Sequence, residues 1–93
     1  MEVVASCEIF VKGHVQGVGY RYFTVEIATD LDIKGYSKNM PDGGVYLEAE
    51  GEKEAILEFI NHLWKGPGLA RVLDIKVSWR DYRGVFKDFS VRH

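Results

Sequence analysis

Residues 13–21 read Gly-His-Val-Gln-Gly-Val-Gly-Tyr-Arg, and the fold of this chain can be worked out from this stretch in both directions. The apolar residues just before it alternate in the way typical of a β-strand: Cys7, Ile9 and Val11. The apolar residues just after it recur at helical spacing: Phe23, Ile27 and Leu31. The stretch is therefore a strand-to-helix junction that carries three glycines and one arginine.

This junction has the properties of an anion site. The first backbone N–H groups of a helix lack intrahelical partners, and the helix dipole adds about half a positive charge there. Gly17 and Gly19 can adopt positive φ and turn successive N–H groups toward one point. Arg21 would be repelled by the helix dipole unless a negative group lay nearby, and its planar guanidinium suits a phosphate or a carboxylate. The pattern alone also permits a glycine-rich turn followed by a solvated arginine.

The rest of the chain predicts five strands and two helices in one domain that spans residues 1–93. The strands are expected at about 5–13, 33–40, 44–50, 71–80 and 86–92, and the helices at about 21–32 and 52–65. An Asp-Gly pair at 42–43 predicts a hairpin between the second and third strands. The order β-α-β-β-α-β, with a short extra strand, favours a two-layer α+β sandwich of the ferredoxin-like type. In that fold two helices cover one face of an antiparallel sheet.

Alternation along the strands predicts which side chains face the helices. The residues expected to face inward are Val45, Leu47, Ala49, Leu73, Ile75, Val77, Trp79, Phe89 and Val91. The residues of the third strand expected on a wet outer face are Tyr46, Glu48 and Glu50. Trp64 and Trp79 are interpreted as packing residues, and residues 81–84 as a polar loop.

Composition limits the classes of function. The net charge is −2 and there is no run of five basic residues, which argues against nucleic acid as a partner. Cys7 is the one cysteine, so we expect a buried thiol, no disulfide and no metal site built from cysteines. We find no signal peptide and no apolar run long enough to cross a membrane, so we expect a cytoplasmic protein. The oligomeric state is open from the sequence, with a monomer as the default expectation.

A second polar cluster occupies residues 35–43, which read Gly-Tyr-Ser-Lys-Asn-Met-Pro-Asp-Gly. It places Asn39 at the end of the second strand, just before the predicted hairpin turn. Asn before such a turn is often a turn-forming residue with no other role, and this interpretation remains open from the cluster alone.

Together the two clusters resemble the acylphosphatase family. The first motif of that family has Gly, any residue, Val-Gln-Gly-Val, one residue, an aromatic residue or Met, and Arg, and it matches Gly13 to Arg21. Its second motif matches Gly35, Tyr36, Ser37, Lys38, Asn39, Gly43, Val45 and Gly51. Three positions depart mildly from the usual pattern: His14, Tyr20 and Ser37. Tyr20 can still pack inward, although its hydroxyl then needs a partner.

The resemblance implies hydrolysis of a carboxyl-phosphate bond to a carboxylate and inorganic phosphate. It assigns the anion contact to Arg21 and the positioning of the attacking water to Asn39. The amides expected to bind phosphate are those of Val15, Gln16, Gly17, Val18, Gly19 and Tyr20. A carboxylate leaves without a proton because its conjugate acid has a pKa of about 4, so no general acid is needed. We expect no metal, no cofactor and no phosphoenzyme, and the sequence shows no acyl pocket.

The sequence permits two other functions. The same anion site could serve a non-catalytic module that binds a phosphorylated metabolite, and an assay of acyl phosphate hydrolysis would distinguish the two. A single-stranded RNA binder is the other, because RNA-recognition domains share this type of sandwich. Phe10 and Tyr46 could be the exposed aromatics that such a domain needs, but Glu8 and Glu48 flank them. His14 remains a minor alternative as nucleophile or base.

Overall fold

The computed structural model describes residues 3–93 and contains the seven elements in the expected order. The strands are β1 (Val4–His14), β2 (Lys34–Asn39), β3 (Val45–Glu52), β4 (Arg71–Arg80) and β5 (Phe89–Arg92). The helices are α1 (Tyr20–Asp30) and α2 (Lys53–Lys65). They form one sheet with the order β4-β1-β3-β2-β5, and both helices contribute buried side chains to one core. The predicted two-layer fold is confirmed.

The sheet is mixed, because one of its four strand pairs is parallel. The pairs β1–β3, β1–β4 and β2–β3 are antiparallel as expected, whereas β5 lies parallel to β2. The two strands β4 and β5 occupy opposite edges of the sheet. The chain must therefore cross the full width of the sheet between them, and it does so in residues 81–88, which we call the strap.

A β-bulge corrects the predicted face of Leu73. The pairing between β1 and β4 shifts between Lys12 and Gly13, so that Lys12 faces Asp74 but Gly13 faces Val72. Leu73 is the extra residue of the bulge and is 78% exposed, so the prediction that it faces inward is wrong. Val72 packs against the core in its place. Simple alternation fails here because one inserted residue exchanges the two faces.

The core lies between the sheet and the helices. Its fully buried members include Ile9, Leu47, Phe59 and Leu63. The tryptophans are less buried than their predicted packing role requires: Trp64 is 46% exposed and Trp79 is 41% exposed. Trp79 lies on the edge strand β4, and the Nζ of Lys53 lies 5.5 Å from the centroid of its ring. In residues 3–93 neither helix is long and apolar enough to cross a membrane.

The strap corrects the prediction for Glu50. That carboxylate was expected on a wet face, but it is 3% exposed. Three backbone N–H groups of the strap donate to it, from Arg83 (3.2 Å), Gly84 (3.0 Å) and Val85 (3.0 Å), and the Ser6 hydroxyl donates at 2.8 Å. Burial alone would raise the pKa of Glu50, but these hydrogen bonds outweigh it and lower that pKa. Glu50 therefore anchors the strap to the sheet.

Candidate active site

The loop between β1 and α1 has the backbone shape that the glycines predict. Gly17 has φ 73° and Gly19 has φ 76°, both in the left-handed region that favours glycine. A Cβ at either position would meet no atom within 4 Å, so both glycines face open space. Gly19 is the N-cap of α1, and the first turn contains no acidic residue. The first N–H groups of α1 therefore lack any side-chain cap and remain available to an external anion.

These groups surround a small cavity of about 170 Å³. Its lining residues come from three places, the loop, the first turn of α1 and the end of β2: Val15, Gly17, Gly19, Tyr20, Arg21, Tyr22 and Asn39. Two residues of the predicted loop do not line it. The side chain of Gln16 turns toward the β2–β3 hairpin, and Val18 packs against the core. The structure thus brings Arg21 and Asn39 together although they lie 18 positions apart in the sequence.

Arg21 is half-buried and its guanidinium is held by the C-terminal end of the described chain. Its Nη1 donates to the backbone carbonyl of Arg92 at 3.1 Å and lies 3.4 Å from Nδ1 of His93. A carbonyl oxygen supplies part of the negative charge that a cation in the first turn of a helix requires. A guanidinium has five N–H donors, so this contact leaves donors for a ligand in the cavity. His93 is exposed, and the sequence alone gave no sign of its contact with Arg21.

Asn39 presents an acceptor without a partner. It is the last residue of β2, as predicted, and its Oδ1 is buried with no hydrogen bond in the part of the chain that the structure describes. Buried polar atoms almost always have a partner, which is either protein or water. Asn39 also lines the cavity, so its amide group, which can donate and accept, is a candidate to hold a bound water.

Gln16 is a site residue that the sequence interpretation missed in part. Its Nε2 donates to the carbonyls of Met40 (2.8 Å) and Gly44 (2.9 Å), the two ends of the hairpin turn. The turn itself is closed by the hydrogen bond from Met40 N–H to the Gly44 carbonyl at 2.9 Å. Gln16 therefore connects the loop to the turn that follows Asn39. The only sequence signal was its place in the first motif, where it had been assigned a backbone role alone.

Two of the three departures from the family motifs, Tyr20 and Ser37, are buried, and both have partners. Tyr20 is 1% exposed, and its hydroxyl donates to the Leu63 carbonyl at 2.7 Å, near the C-terminal end of α2. Ser37 is fully buried, with its hydroxyl oxygen 2.9 Å from that of Thr24. The Thr24 hydroxyl donates to the Arg21 carbonyl at 2.5 Å, so this pair also fixes the backbone at Arg21.

Other nucleophilic groups lie away from the cavity. Cys7 is 1% exposed, and burial raises the pKa of its thiol to about 12 although Arg80 opposes the shift. His14 is exposed at the end of β1 and does not line the cavity. Within residues 3–93 no three His, Cys, Asp or Glu side chains form a group that could hold a metal ion.

Comparisons with known proteins agree with one another. A family model described as Acylphosphatase matches residues 7–91. An acylphosphatase of Thermus thermophilus is 51% identical over 81 residues, which cover 87% of this chain and 91% of that protein. One from Methanococcoides burtonii is 43% identical over 96% of this chain and 93% of that protein. The crystal structure of acylphosphatase from Bacillus subtilis matches with a TM-score of 0.92 and 33% identity, over 98% of this chain and all of that one.

Proposed function

This chain belongs to the acylphosphatase family and is an enzyme that hydrolyses acyl phosphates; we propose that Arg21 and Asn39 carry out this reaction. One observation carries the proposal. Arg21 and Asn39 line the same cavity at the start of α1, and the buried Oδ1 of Asn39 has no hydrogen-bond partner in residues 3–93.

The phosphoryl group binds between Arg21 and the N–H groups of the loop. Charge in the transition state of phosphoryl transfer spreads over the equatorial oxygens, which need donors on several sides. The loop from Val15 to Tyr20 and the uncapped first turn of α1 supply such donors from the backbone. Because these donors are held in place by the fold, they stabilise the transition state without reorganising.

Asn39 positions the attacking water. Its amide accepts and donates hydrogen bonds but cannot act as a base at neutral pH. The water oxygen forms a bond to phosphorus while the bond from phosphorus to the carboxyl oxygen breaks, and the carboxylate departs with that electron pair. The proton of the water passes to a phosphate oxygen of the substrate. Orientation by Asn39 lowers the entropic cost of bringing water into line.

We propose a direct attack by water, without a phosphoenzyme. The buried thiol of Cys7 and the buried hydroxyl of Ser37, which is engaged by Thr24, support this view because neither lines the cavity. The charge needed at the phosphate comes from the Arg21 guanidinium and the backbone, so the mechanism requires no metal ion or cofactor. We further propose that residues 1–93 act as one domain, as a cytoplasmic monomer without a nucleic-acid partner.

The replacement Arg21→Gln tests the proposal. We expect it to abolish phosphate binding and to lower kcat/KM on an acyl phosphate by about a thousandfold or more, because the cavity loses its only guanidinium in residues 3–93. The assay is hydrolysis of benzoyl phosphate, with inorganic phosphate as a competitive inhibitor. Arg71→Gln makes the same chemical change at an exposed position of β4 and should leave both readings unchanged. Retained activity in Arg21→Gln would remove Arg21 from the mechanism.

A further inference from the structure

We propose that the ring of Tyr22 is the acyl-group contact of this enzyme, so that acyl phosphates with a planar aromatic acyl group are preferred over acetyl phosphate. This inference rests on the proposed function, because it assumes that the phosphoryl group occupies the cavity at the start of α1. It adds a determinant of substrate specificity to a site whose other groups recognise phosphate.

The size of the cavity places the acyl group at its mouth. The volume of about 170 Å³ is below the ~300 Å³ at which pockets begin to enclose drug-sized organic ligands. With the phosphoryl group and a water inside, little room is left for a large acyl group. The part of the substrate beyond the carbonyl must therefore lie against the rim, and the nature of the rim decides which acyl groups gain binding energy.

Tyr22 is the large apolar group on that rim. It is 67% exposed, whereas the other two large apolar lining residues, Val15 and Tyr20, are each 1% exposed. In residues 3–93 no hydrogen bond, ion pair or ring contact involves the Tyr22 side chain, although Tyr20 and Phe23 beside it contact each other with centroids 6.0 Å apart. The packing of the protein leaves both faces of the Tyr22 ring without an aromatic partner.

The helix directs this ring toward the substrate. Side chains in an α-helix tilt toward its N-terminus and cover the turn that precedes their own Cα. Tyr22 is the third residue of α1, so the turn it covers is the glycine loop that forms the cavity. Gly17 and Gly19 have no side chains and a Cβ at either would meet open space, so they do not screen the ring from a bound molecule.

A tyrosine at this place favours flat apolar acyl groups. Aromatic rings gain binding energy from offset or edge-to-face contact in addition to the burial of apolar area. Acetyl has no flat apolar face and therefore gains little from such a contact. Because the contact exists both before and during the reaction, it should act on substrate binding and therefore on KM more than on kcat.

The test compares benzoyl phosphate with acetyl phosphate in the full chain. For Tyr22→Ala we expect the ratio of the two kcat/KM values, benzoyl over acetyl, to fall about fivefold, mainly through a higher KM for benzoyl phosphate. Tyr22→Phe keeps the ring and should keep the ratio. Tyr82→Ala removes another half-exposed tyrosine, which lies in the strap, and should leave the ratio unchanged.

Two outcomes would overturn the proposal. The ratio could stay constant in Tyr22→Ala, whether or not both substrates lose activity, or Tyr22→Phe could lose as much preference as Tyr22→Ala. Inhibition by inorganic phosphate should be unchanged in Tyr22→Ala, which shows that the phosphate site is intact. If the substrate ratio did not change as expected while Arg21→Gln was inactive, only the role of Tyr22 would be refuted. Full activity of Arg21→Gln would refute the proposed mechanism itself.

Discussion

Arg21 occupies a position that is electrostatically unfavourable for a cation. A cation in the first turn of a helix is disfavoured by about 0.3–1 kcal/mol. The chain places it there with an acceptor, the Arg92 carbonyl at 3.1 Å, and with its own carbonyl fixed by Thr24. The side chain is thus oriented without a ligand, which would reduce the entropy lost when the proposed anion binds.

The prediction at the scale of the residue concerns the role of Asn39 in catalysis. Asn39→Ala should lower kcat by about a hundredfold or more, because the water loses its orientation, while the affinity for inorganic phosphate stays nearly the same. The free energy of unfolding should stay the same or rise slightly, because a buried oxygen without a partner is removed.

Two measurements check this expectation, steady-state kinetics with phosphate inhibition and urea denaturation. Asn61→Ala, at an exposed position of α2, is the matched control. If phosphate affinity fell as far as kcat, Asn39 would be a binding or structural residue rather than the group that positions water.

At the scale of the element, the active site depends on how the β1–α1 loop and the β2–β3 hairpin are held together. Gln16 makes this connection through two hydrogen bonds to the ends of the turn, to Met40 and Gly44. The turn is also closed from within, because Asp42 Oδ1 accepts from the Gly44 N–H at 2.9 Å. The β1–α1 loop and the hairpin that follows Asn39 are thus joined by side-chain hydrogen bonds.

Gln16→Met should separate the two elements while it keeps a side chain of similar size. We expect a loss of about 1–2 kcal/mol in the free energy of unfolding, since two hydrogen bonds are lost while the carbonyls of Met40 and Gly44 keep their backbone donors. We also expect kcat to fall about tenfold or more, because Asn39 is no longer held over the cavity. In a double-mutant cycle with Asn39→Ala the two effects on kcat should be strongly non-additive. Additive effects would mean that Gln16 does not act through Asn39.

At the scale of the whole molecule, the strap crosses the outer face of the sheet, where Glu48 and Glu50 lie. Burial opposes the ionisation of Glu48, but hydrogen bonds from Tyr36 and Tyr46 and the charges of Arg80 and Arg83 outweigh it and lower the pKa of that carboxyl. Glu50 anchors the strap beside it. Both carboxylates are therefore more acidic in the folded chain than in the unfolded chain.

This electrostatic arrangement predicts acid sensitivity. An unfolded glutamate has a pKa of about 4.3, and the folded pKa values of Glu48 and Glu50 lie lower. The unfolded state consequently binds more protons in this range, so the carboxylates stabilise the fold above about pH 4.3 and lose that contribution as pH falls through the folded pKa.

Glu50→Gln tests this prediction. We expect it to lower the free energy of unfolding by about 2–3 kcal/mol at pH 7, since it removes a charged acceptor of three backbone N–H groups. The loss of stability between pH 5 and pH 3, roughly the range in which glutamates titrate, should be shallower in the variant than in the parent. Urea denaturation at several pH values gives both quantities. Glu58→Gln, exposed on α2, is the control, and an equal effect there would contradict a specific role for Glu50.

The sequence by itself determined the order of the elements and the fold class, and it predicted an anion site at the start of α1. These features rest on short-range signals: alternation in β1 and β3, helical spacing in α2, and glycines at 17 and 19 that take the positive φ their places require. Local signals of this kind need no knowledge of distant partners. Arg21 and Asn39 were singled out in the same way, and their roles remain predictions.

Tertiary structure alone decided which distant groups meet. The Arg92 carbonyl that holds Arg21 lies 71 positions away in the sequence, and the strap that buries Glu50 lies more than 30 positions away. The bulge at Leu73 depends on the register between two strands, and the parallel pairing of β5 depends on a crossover. Such contacts are fixed by the packing of the whole sheet, because periodicity tells which face a residue prefers but not which residue lies opposite.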